Sequence, residues 1–392
     1  MKKVLAILLA ACMVVALFAC GGKTDPTPSA DPTPTAATTP GGEEKPTPGP
    51  TTDGVPLGKI LEGDHAGREK YKIVYMCNTL AWAWNAAIAD TLGKLGEPLN
   101  YEFTAWAANN DFDAYLNNIP AFANQGYQGF VLGIDDTLAQ ASMEACLEAG
   151  VSFVAESTTI MDKDGLCIWS SVQQAQVKNG GIAVQWLYDH WKDYWTDATL
   201  DGQKVGLIGL NYSAVSGINE RKPGVEQKFA ELFPDGKFFD GDLAALGTTG
   251  FSAEGGNQLS TQIYSQNPDI EKWFVVAYVD DWAIGATRAA EQQNITDKTL
   301  VVSIQADAFL AEMSNNYTGN VYVAACAVSS TEFAIDMANY LVATISGVAT
   351  PETIWPEWND AGGSYPRIQV EGTMITRDTY KDYLAKQAAM LP

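Results

Sequence analysis

Trp82 and Trp84 stand with one residue between them, in the turn that joins a strand-like run ending at Cys77 to a run with helical spacing ending near Gly96. An indole in such a turn carries a flat apolar face and one N–H, and the face can stack on a ring-shaped ligand for ~0.5–1.5 kcal/mol beyond the area it buries. Side chains two apart in a turn diverge. One of the pair is therefore expected in a cleft and the other under the helix as core, and the sequence leaves open which. Trp106, closing the next strand-like run YEFTAW, is a third candidate for the same wall, with core packing as its alternative.

Bond-making chemistry finds few residues to carry it. The chain has two histidines, His65 and His190, and the second lies in a Trp-rich helical stretch, QWLYDHW, where a structural role is expected. A Ser-His or Cys-His nucleophile would need one of them as its base. No G-x-S-x-G elbow, Walker loop or H-E-x-x-H is present. Asp280-Asp281 could serve a glycosidase in principle, but adjacent residues at a strand end point apart. Asp162-Lys163-Asp164-Gly165 imitates the start of a calcium loop without the downstream Glu, and reads as a turn. Cys77, Cys146, Cys167 and Cys326 are scattered with no C-x-x-C pair, so buried free thiols are expected rather than a metal site or disulfides. No catalytic residue, metal or cofactor is expected.

These residues sit in a chain of 392. Lys2 and Lys3 precede an apolar stretch from Val4 to Ala19, the layout of an export signal, 1–19. Leu17-Phe18-Ala19-Cys20, followed by Gly21-Gly22, resembles the lipobox of bacterial lipoproteins, which implies lipid attachment at Cys20 and an anchor in the membrane. Gly21 to Pro56 holds nine of the eighteen prolines and almost no large apolar residue, so 20–67 reads as a semi-rigid spacer. The body that follows, roughly 325 residues, exceeds what one core usually serves, and two lobes are expected. Loss of Lys2 and Lys3 with the signal takes the formal charge from −23 to −25, which argues against nucleic acid and against electrostatic adhesion to anionic lipid.

Within the body, IVYMC, YEFTAW, GFVLGI and VSFVA alternate with helical patterns, and the order restarts with KVGLIGL, KFFDGD, EKWFVVAY, LVVSI and VYVAAC. Continuous apolarity marks strands buried on both faces of a parallel sheet. Leu138, Ala141, Ala145 and Cys146 share one helical face that Gly150 ends, and Val225, Phe229 and Leu232 share another. Two doubly wound α/β lobes follow. Ligands of such sheets lie beyond the carboxyl ends of the strands.

The order resembles the type I periplasmic binding proteins, the sugar receptors of ABC importers, over Lys70 to Leu391. Gly129-Phe130-Val131-Leu132-Gly133-Ile134-Asp135-Asp136 is similar to the family's strand that ends in Asp at the cleft, Arg221-Lys222-Pro223-Gly224-Val225 to its ligand-reaching Arg, and Asp280-Asp281-Trp282-Ala283-Ile284-Gly285-Ala286 to its N-D-x-M-A-x-G-A turn. Val321 to Gly347 resembles the last crossover strand and helix. The resemblance implies a three-strand hinge between an N-terminal lobe, 68–173 plus 306–327, and a C-terminal lobe, 174–305 plus 328–392. It departs from the family at Val279, at Gln305 where an Asp is expected, and at Val328.

The candidate ligand set is Trp82, Trp84, Trp106, Asp135, Asp136, Arg221, Asp280 and Gln305. Asp135 and Asp136 would accept hydroxyl hydrogens, unless Asp136 only caps the helix starting near Thr137. Arg221 would donate a fork of hydrogen bonds, unless it is a surface ion pair. A wall of Trp and Gln, with Gln173, Gln174 and Gln176 near the first crossover, suits a neutral polyhydroxy solute such as a monosaccharide. The reading is a monomeric, lipid-anchored receptor on the outer face of the bacterial membrane, with ABC permease subunits as partners. A sensor that shows its closed form to a chemoreceptor or kinase is the alternative; a DNA-binding repressor of this fold is excluded by the signal and spacer at its N-terminus.

Overall fold

The computed structural model describes residues 54–109, 111–133 and 136–392. The first lobe is a sheet of β1 (Tyr71–Cys77), β2 (Tyr101–Ala107), β3 (Gly129–Gly133), β4 (Ser152–Glu156) and β5 (Ser171–Gln174), alternating with α1 (Ala83–Lys94), α2 (Phe112–Asn124) and α3 (Asp136–Ala149). The second holds α4 (Gln176–His190), β6 (Val205–Asn211), α5 (Ser216–Asn219), α6 (Lys222–Leu232), β7 (Lys237–Asp242), α7 (Ala253–Gln266), β8 (Lys272–Ala277), α8 (Asp280–Gln292), β9 (Thr299–Ile304), α9 (Asp307–Ser314) and β10 (Tyr322–Ala327). The chain then returns through α10 (Ser330–Ile345) and β11 (Arg367–Val370), and ends in β12 (Thr373–Thr376) and α11 (Tyr380–Ala389). The sheet orders are β11-β5-β4-β3-β1-β2 and β12-β10-β9-β8-β6-β7, the same winding twice. All pairings are parallel except β10 with β12.

The continuous apolar strands are explained by their two covered faces. In β1, Ile73, Tyr75 and Cys77 join the core that includes Ile88 of α1 and Phe333 of α10, whereas Val74 and Met76 join the core with Ile119 of α2 and Ala139 of α3. Gly150 takes a positive φ of 67° directly after α3, as the stop signal requires. The turn at Asp162 is an Asx turn, its carboxylate accepting from the N–H groups of Asp164 and Leu166 at 2.9 Å each. His190 stacks on Trp186 at 4.5 Å and bonds its carbonyl at 3.0 Å, a structural role. Cys77, Cys146, Cys167 and Cys326 are buried and free.

The lobe boundaries differ from those read in the sequence. Residues 306–327 carry α9 and β10, and β10 pairs with β9 in the second sheet, not the first. Residues 328–392 are divided: α10 packs on α1 and β11 pairs with β5 in the first lobe, whereas β12 lies in the second. The last crossover strand stays where it starts, and the helix after it changes lobe. The chain crosses three times, at Gln174–Gln176, Val328–Ser329 and Glu371–Gly372. Each crossing leaves the carboxyl end of a strand, β5, β10 or β11. Each enters the other lobe at a helix N-terminus or, for β12, beside the carboxyl end of β10, where Thr373 pairs with Ala327. The carboxyl ends of the two sheets therefore face one another across the crossings.

The spacer also ends earlier than 67. Val55 is fully buried, and the segment after it lies on α10 as a strap. Gly58 N–H donates to Asp336 Oδ1 at 2.6 Å and Leu61 N–H to Asn339 Oδ1 at 3.0 Å; Asn339 returns bonds to the carbonyls of Pro56 and Lys59. Trp355 Nε1–H closes on the Val55 carbonyl at 2.8 Å. Five hydrogen bonds to its backbone and the packing of Val55, Leu57, Ile60 and Leu61 on the first lobe's core hold the strap, and so short a segment was hidden by the Pro-rich composition ahead of it. The calls on 1–19 and Cys20 fall outside the described residues. Among the described residues no helix is long and apolar enough to cross a membrane.

Candidate functional site

Trp82 caps α1 from an extended backbone and is 56 % exposed. Its turn is fixed from both sides: Ala81 N–H donates to the Thr79 hydroxyl at 3.1 Å, and the Asn85 amide donates to the Thr79 carbonyl at 2.7 Å. Trp84, the second residue of α1, is half-buried with its ring edge-on to Phe333 at 5.0 Å and 83°. Its indole N–H donates to Glu156 Oε1 at 3.0 Å. The pair diverges as expected, with Trp82 outward and Trp84 held against the body. Trp106 is half-buried and packs edge-on to Tyr115 and Phe122 on the α2 side of the sheet. Asp135 lies outside the described residues, and Asp136 is the first residue of α3.

Arg221 is 2 % exposed. Burial alone lowers its pKa, to about 10, with Cys326, Asp280 and Glu220 opposing the change. Its Nε–H donates to Gln176 Oε1 at 2.7 Å and its Nη2–H to Gln174 Oε1 at 2.7 Å, while Nη1–H reaches the Tyr278 carbonyl. The two glutamines flank the first crossing, and Tyr278 follows β8. The guanidinium thus ties the first lobe's last residue before the hinge to the second lobe. What seats it there is the approach of α4 to α6: a Cβ on Gly180 would lie 2.4 Å from the Arg221 carbonyl oxygen and one on Gly224 1.8 Å from that of Val177, so neither position admits a side chain. Neither a surface ion pair nor an open fork describes this residue. Gln173, also flagged in the sequence, donates to the Thr159 hydroxyl.

Asp280 is 5 % exposed, and its Oδ2 accepts from Ala308 N–H, at the N-terminal end of α9, at 2.5 Å. Burial first, and then the charge of Asp307, raise its carboxyl to about 7. Asp281 is exposed beside it and Asp307 half-buried, each raised chiefly by burial. Gln305 closes β9 with φ of 82°, its backbone N–H donated to the Cys326 carbonyl at 2.9 Å. Left-handed backbone in a non-glycine residue costs of order 1–3 kcal/mol and collects at ligand sites.

Two features escaped the sequence reading. Glu156, the last residue of β4, is 4 % exposed; burial raises its carboxyl against the lowering effect of hydrogen bonds from Ser157, Trp84 and Tyr75. An acidic residue terminating the otherwise apolar run VSFVAE was the available signal. The second is an aromatic pair past β6 and β7, Tyr212 and the 44 % exposed Phe251, with ring centroids 4.0 Å apart. Phe251 ends the short 3-10 stretch Leu243–Phe251, broken at Gly247 and without periodicity, so nothing in the pattern marked it.

The first lobe therefore presents indole surface at the carboxyl ends of its strands, the second presents an aromatic pair and carboxyls, and a buried guanidinium spans the join. Two doubly wound sheets with three crossings at their carboxyl ends define the type I periplasmic binding protein fold, the fold that the sequence resemblance implied. Among particular proteins, the chain is 25 % identical over 305 residues, 76 % of its own length and 87 % of the relative's, to the ABC transporter L-arabinose-binding periplasmic protein of Azospirillum brasilense. It is similar in structure to a periplasmic solute-binding protein of an ABC transporter from Actinobacillus succinogenes with bound D-allose (TM-score 0.63, 14 % identity, 80 % of this chain and 100 % of that one). A galactofuranose-binding protein gives a TM-score of 0.60 at 15 % identity, covering 82 % and 99 %. No family model matches the chain.

Proposed function

We propose that this chain is an extracytoplasmic solute-binding protein that captures a small neutral polyhydroxy ligand, a monosaccharide or a derivative, between its lobes and delivers it to the permease of an ABC importer. The observation that carries this reading is the facing of the two carboxyl ends across three crossings, with exposed Trp82 on one side and the Tyr212–Phe251 pair on the other. Two aromatic surfaces and backbone crossings that can bend are the parts needed to close on a sugar ring. The solutes named for the similar proteins, L-arabinose and D-allose among them, are of this class.

In this reading Trp82, Phe251 and Gln305 meet the ligand. Asp135 and Asp136, which follow β3 in the sequence, are assigned to accept its hydroxyls. Arg221, Asp280 and Trp84 shape the cleft from beneath, and Trp106 backs the first lobe's wall. The protein works as a monomer without catalysis, tethered by acyl chains on Cys20. A thermal-shift screen of residues 54–392 against pentoses, hexoses, inositols, nucleosides and amino acids tests the ligand class. A solute at 100 times its dissociation constant raises stability by ~2.7 kcal/mol. Stabilisation by amino acids or nucleosides and by no sugar would sink the proposal. For the tether, Cys20→Ala should release the protein from the membrane fraction, and an unmodified mature N-terminus in mass spectrometry would refute it.

A further inference from the structure

Glu156 occupies a strand end where its three predecessors, Phe153, Val154 and Ala155, are all buried and apolar. A carboxyl there is costly unless donors meet it. Three do: Trp84 Nε1–H at 3.0 Å, Tyr75 O–H at 3.4 Å and the Ser157 hydroxyl. The space is shaped for it, since a Cβ on neighbouring Gly133 would lie 2.8 Å from Glu156 Oε2 and 2.8 Å from the Tyr75 ring. Of the three donors only Trp84 belongs to the aromatic turn at the mouth of the lobe.

The bond does something that packing alone would not. Contact with Phe333 fixes one edge of the indole, and a ring held by one edge can still swing. The N–H bond to Glu156 fixes a second point and with it the plane of the ring. The residue after Glu156 borders the second lobe: Ser157, with φ of 61°, has its carbonyl oxygen 3.9 Å from where a Cβ on Gly217 of α5 would stand. A residue at that junction controls where the first lobe's aromatic wall lies as the second approaches.

We propose that Glu156 is a positioning residue for the ligand wall, holding the Trp84 indole in the plane that the closed cleft needs. The consequence for affinity rests on the sugar-binding reading; the placement of the indole does not. The test labels residues 54–392 with 5-fluorotryptophan and assigns the Trp84 resonance by its absence in Trp84→Phe. Glu156→Gln keeps an acceptor for the N–H and should leave the resonance in place. Glu156→Leu should shift or broaden it while the other tryptophan signals stay sharp, which also reports that the variant folds. Titrations with L-arabinose and D-allose should then show at least a tenfold loss for Glu156→Leu, less than threefold for Glu156→Gln, and no further loss when Glu156→Leu is added to Trp84→Phe. An unmoved Trp84 signal in Glu156→Leu overturns the proposal, as does a moved signal with unchanged sugar affinity. If neither sugar binds the parent and no other sugar does, the functional reading falls, while the fluorine spectra still decide whether Glu156 sets the indole.

Discussion

Ser157 and Gln305 hold the same place in the two lobes. Each follows the third strand of its sheet order, β4 or β9, and each is left-handed, with φ of 61° and 82°. Around this shared point the lobes diverge. The first buries an acid, Glu156, among neutral donors; the second, at its join with the first, buries a base, Arg221, among neutral acceptors. Neither has a counter-ion in direct contact. All of Glu156's partners lie in one lobe, so it sets a surface. Arg221's partners lie on both sides of a crossing, so it sets the relation of two bodies. A repeated scaffold has placed a shape-determining charge in one half and a coupling charge at the hinge.

The sharpest way to break this contrast is Arg221→Ala. It leaves the oxygens of Gln174, Gln176 and Tyr278 without their donor, and should cost on the order of 5 kcal/mol of stability, read as a fall in denaturant midpoint. A ligand-donating fork, the role the sequence suggested for Arg221, would instead lose binding at little cost in stability. Arg221→Lys retains a charge but not the fork and should recover less than half. A parent-like midpoint for the alanine variant would make the residue a ligand group after all.

Next in size is Asp280. In the folded chain it titrates near 7 against an ordinary 3.8, raised by burial and by Asp307. The folded state keeps a proton that the unfolded chain has already released, so this group's contribution is fully present below about pH 4 and is lost as pH rises towards 7. Asp281 and Asp307 face the same carboxyl, and Tyr322 lies within its field. Asp280→Asn should therefore gain on the parent by on the order of 3–4 kcal/mol between pH 4 and 7. Parallel stability curves over that range would show that Asp280 is not the group responsible.

The first lobe should respond in binding and not in folding. Trp82→Ala is expected to weaken sugar binding by ~1–3 kcal/mol and to leave the unliganded melting free energy within ~0.5 kcal/mol, because its side chain is largely in solvent. Phe251→Ala, on the second lobe, should cost less, about 1 kcal/mol, since Tyr212 remains beneath it. Calorimetry on both variants checks the order. A larger loss at Phe251 would move the main stacking surface to the second lobe.

The residues that were legible were those whose signal is periodic. Nine strand-like runs lie in the two sheets, and the continuous apolarity of the inner ones announced burial on both faces, whereas the edge strands β2 and β7 are only partly covered. β5, β11 and β12 were missed because each has four residues, too few for a pattern, and these strands flank two of the three crossings. The exchange of α10 between lobes was hidden for a related reason: the turn Val328–Ser329 looks like any strand-to-helix turn, and only pairing partners reveal that the helix leaves its own sheet. At the first strand-to-helix turn, the divergence of Trp82 and Trp84 was legible because side chains two apart in a turn point apart, though not which of them would be exposed. The state of Arg221 was not, because whether a guanidinium faces a cleft or fills a hole depends on how closely α4 approaches α6, which Gly180 on the one and Gly224 on the other decide.

The strap at Val55–Leu61 has a mechanical consequence. α10, to which it is bonded, starts directly after the second crossing, and the Ser329 hydroxyl that caps α10 by accepting Glu332 N–H also donates to Gln387 of α11. A pull on the chain ahead of residue 54 meets Trp355, Asp336 and Asn339 before it reaches any strand. The force enters at the helix between two crossings, on the side of the first lobe, and reaches the second lobe only through the crossings and through α11, whose Tyr380 and Tyr383 pack on the second core.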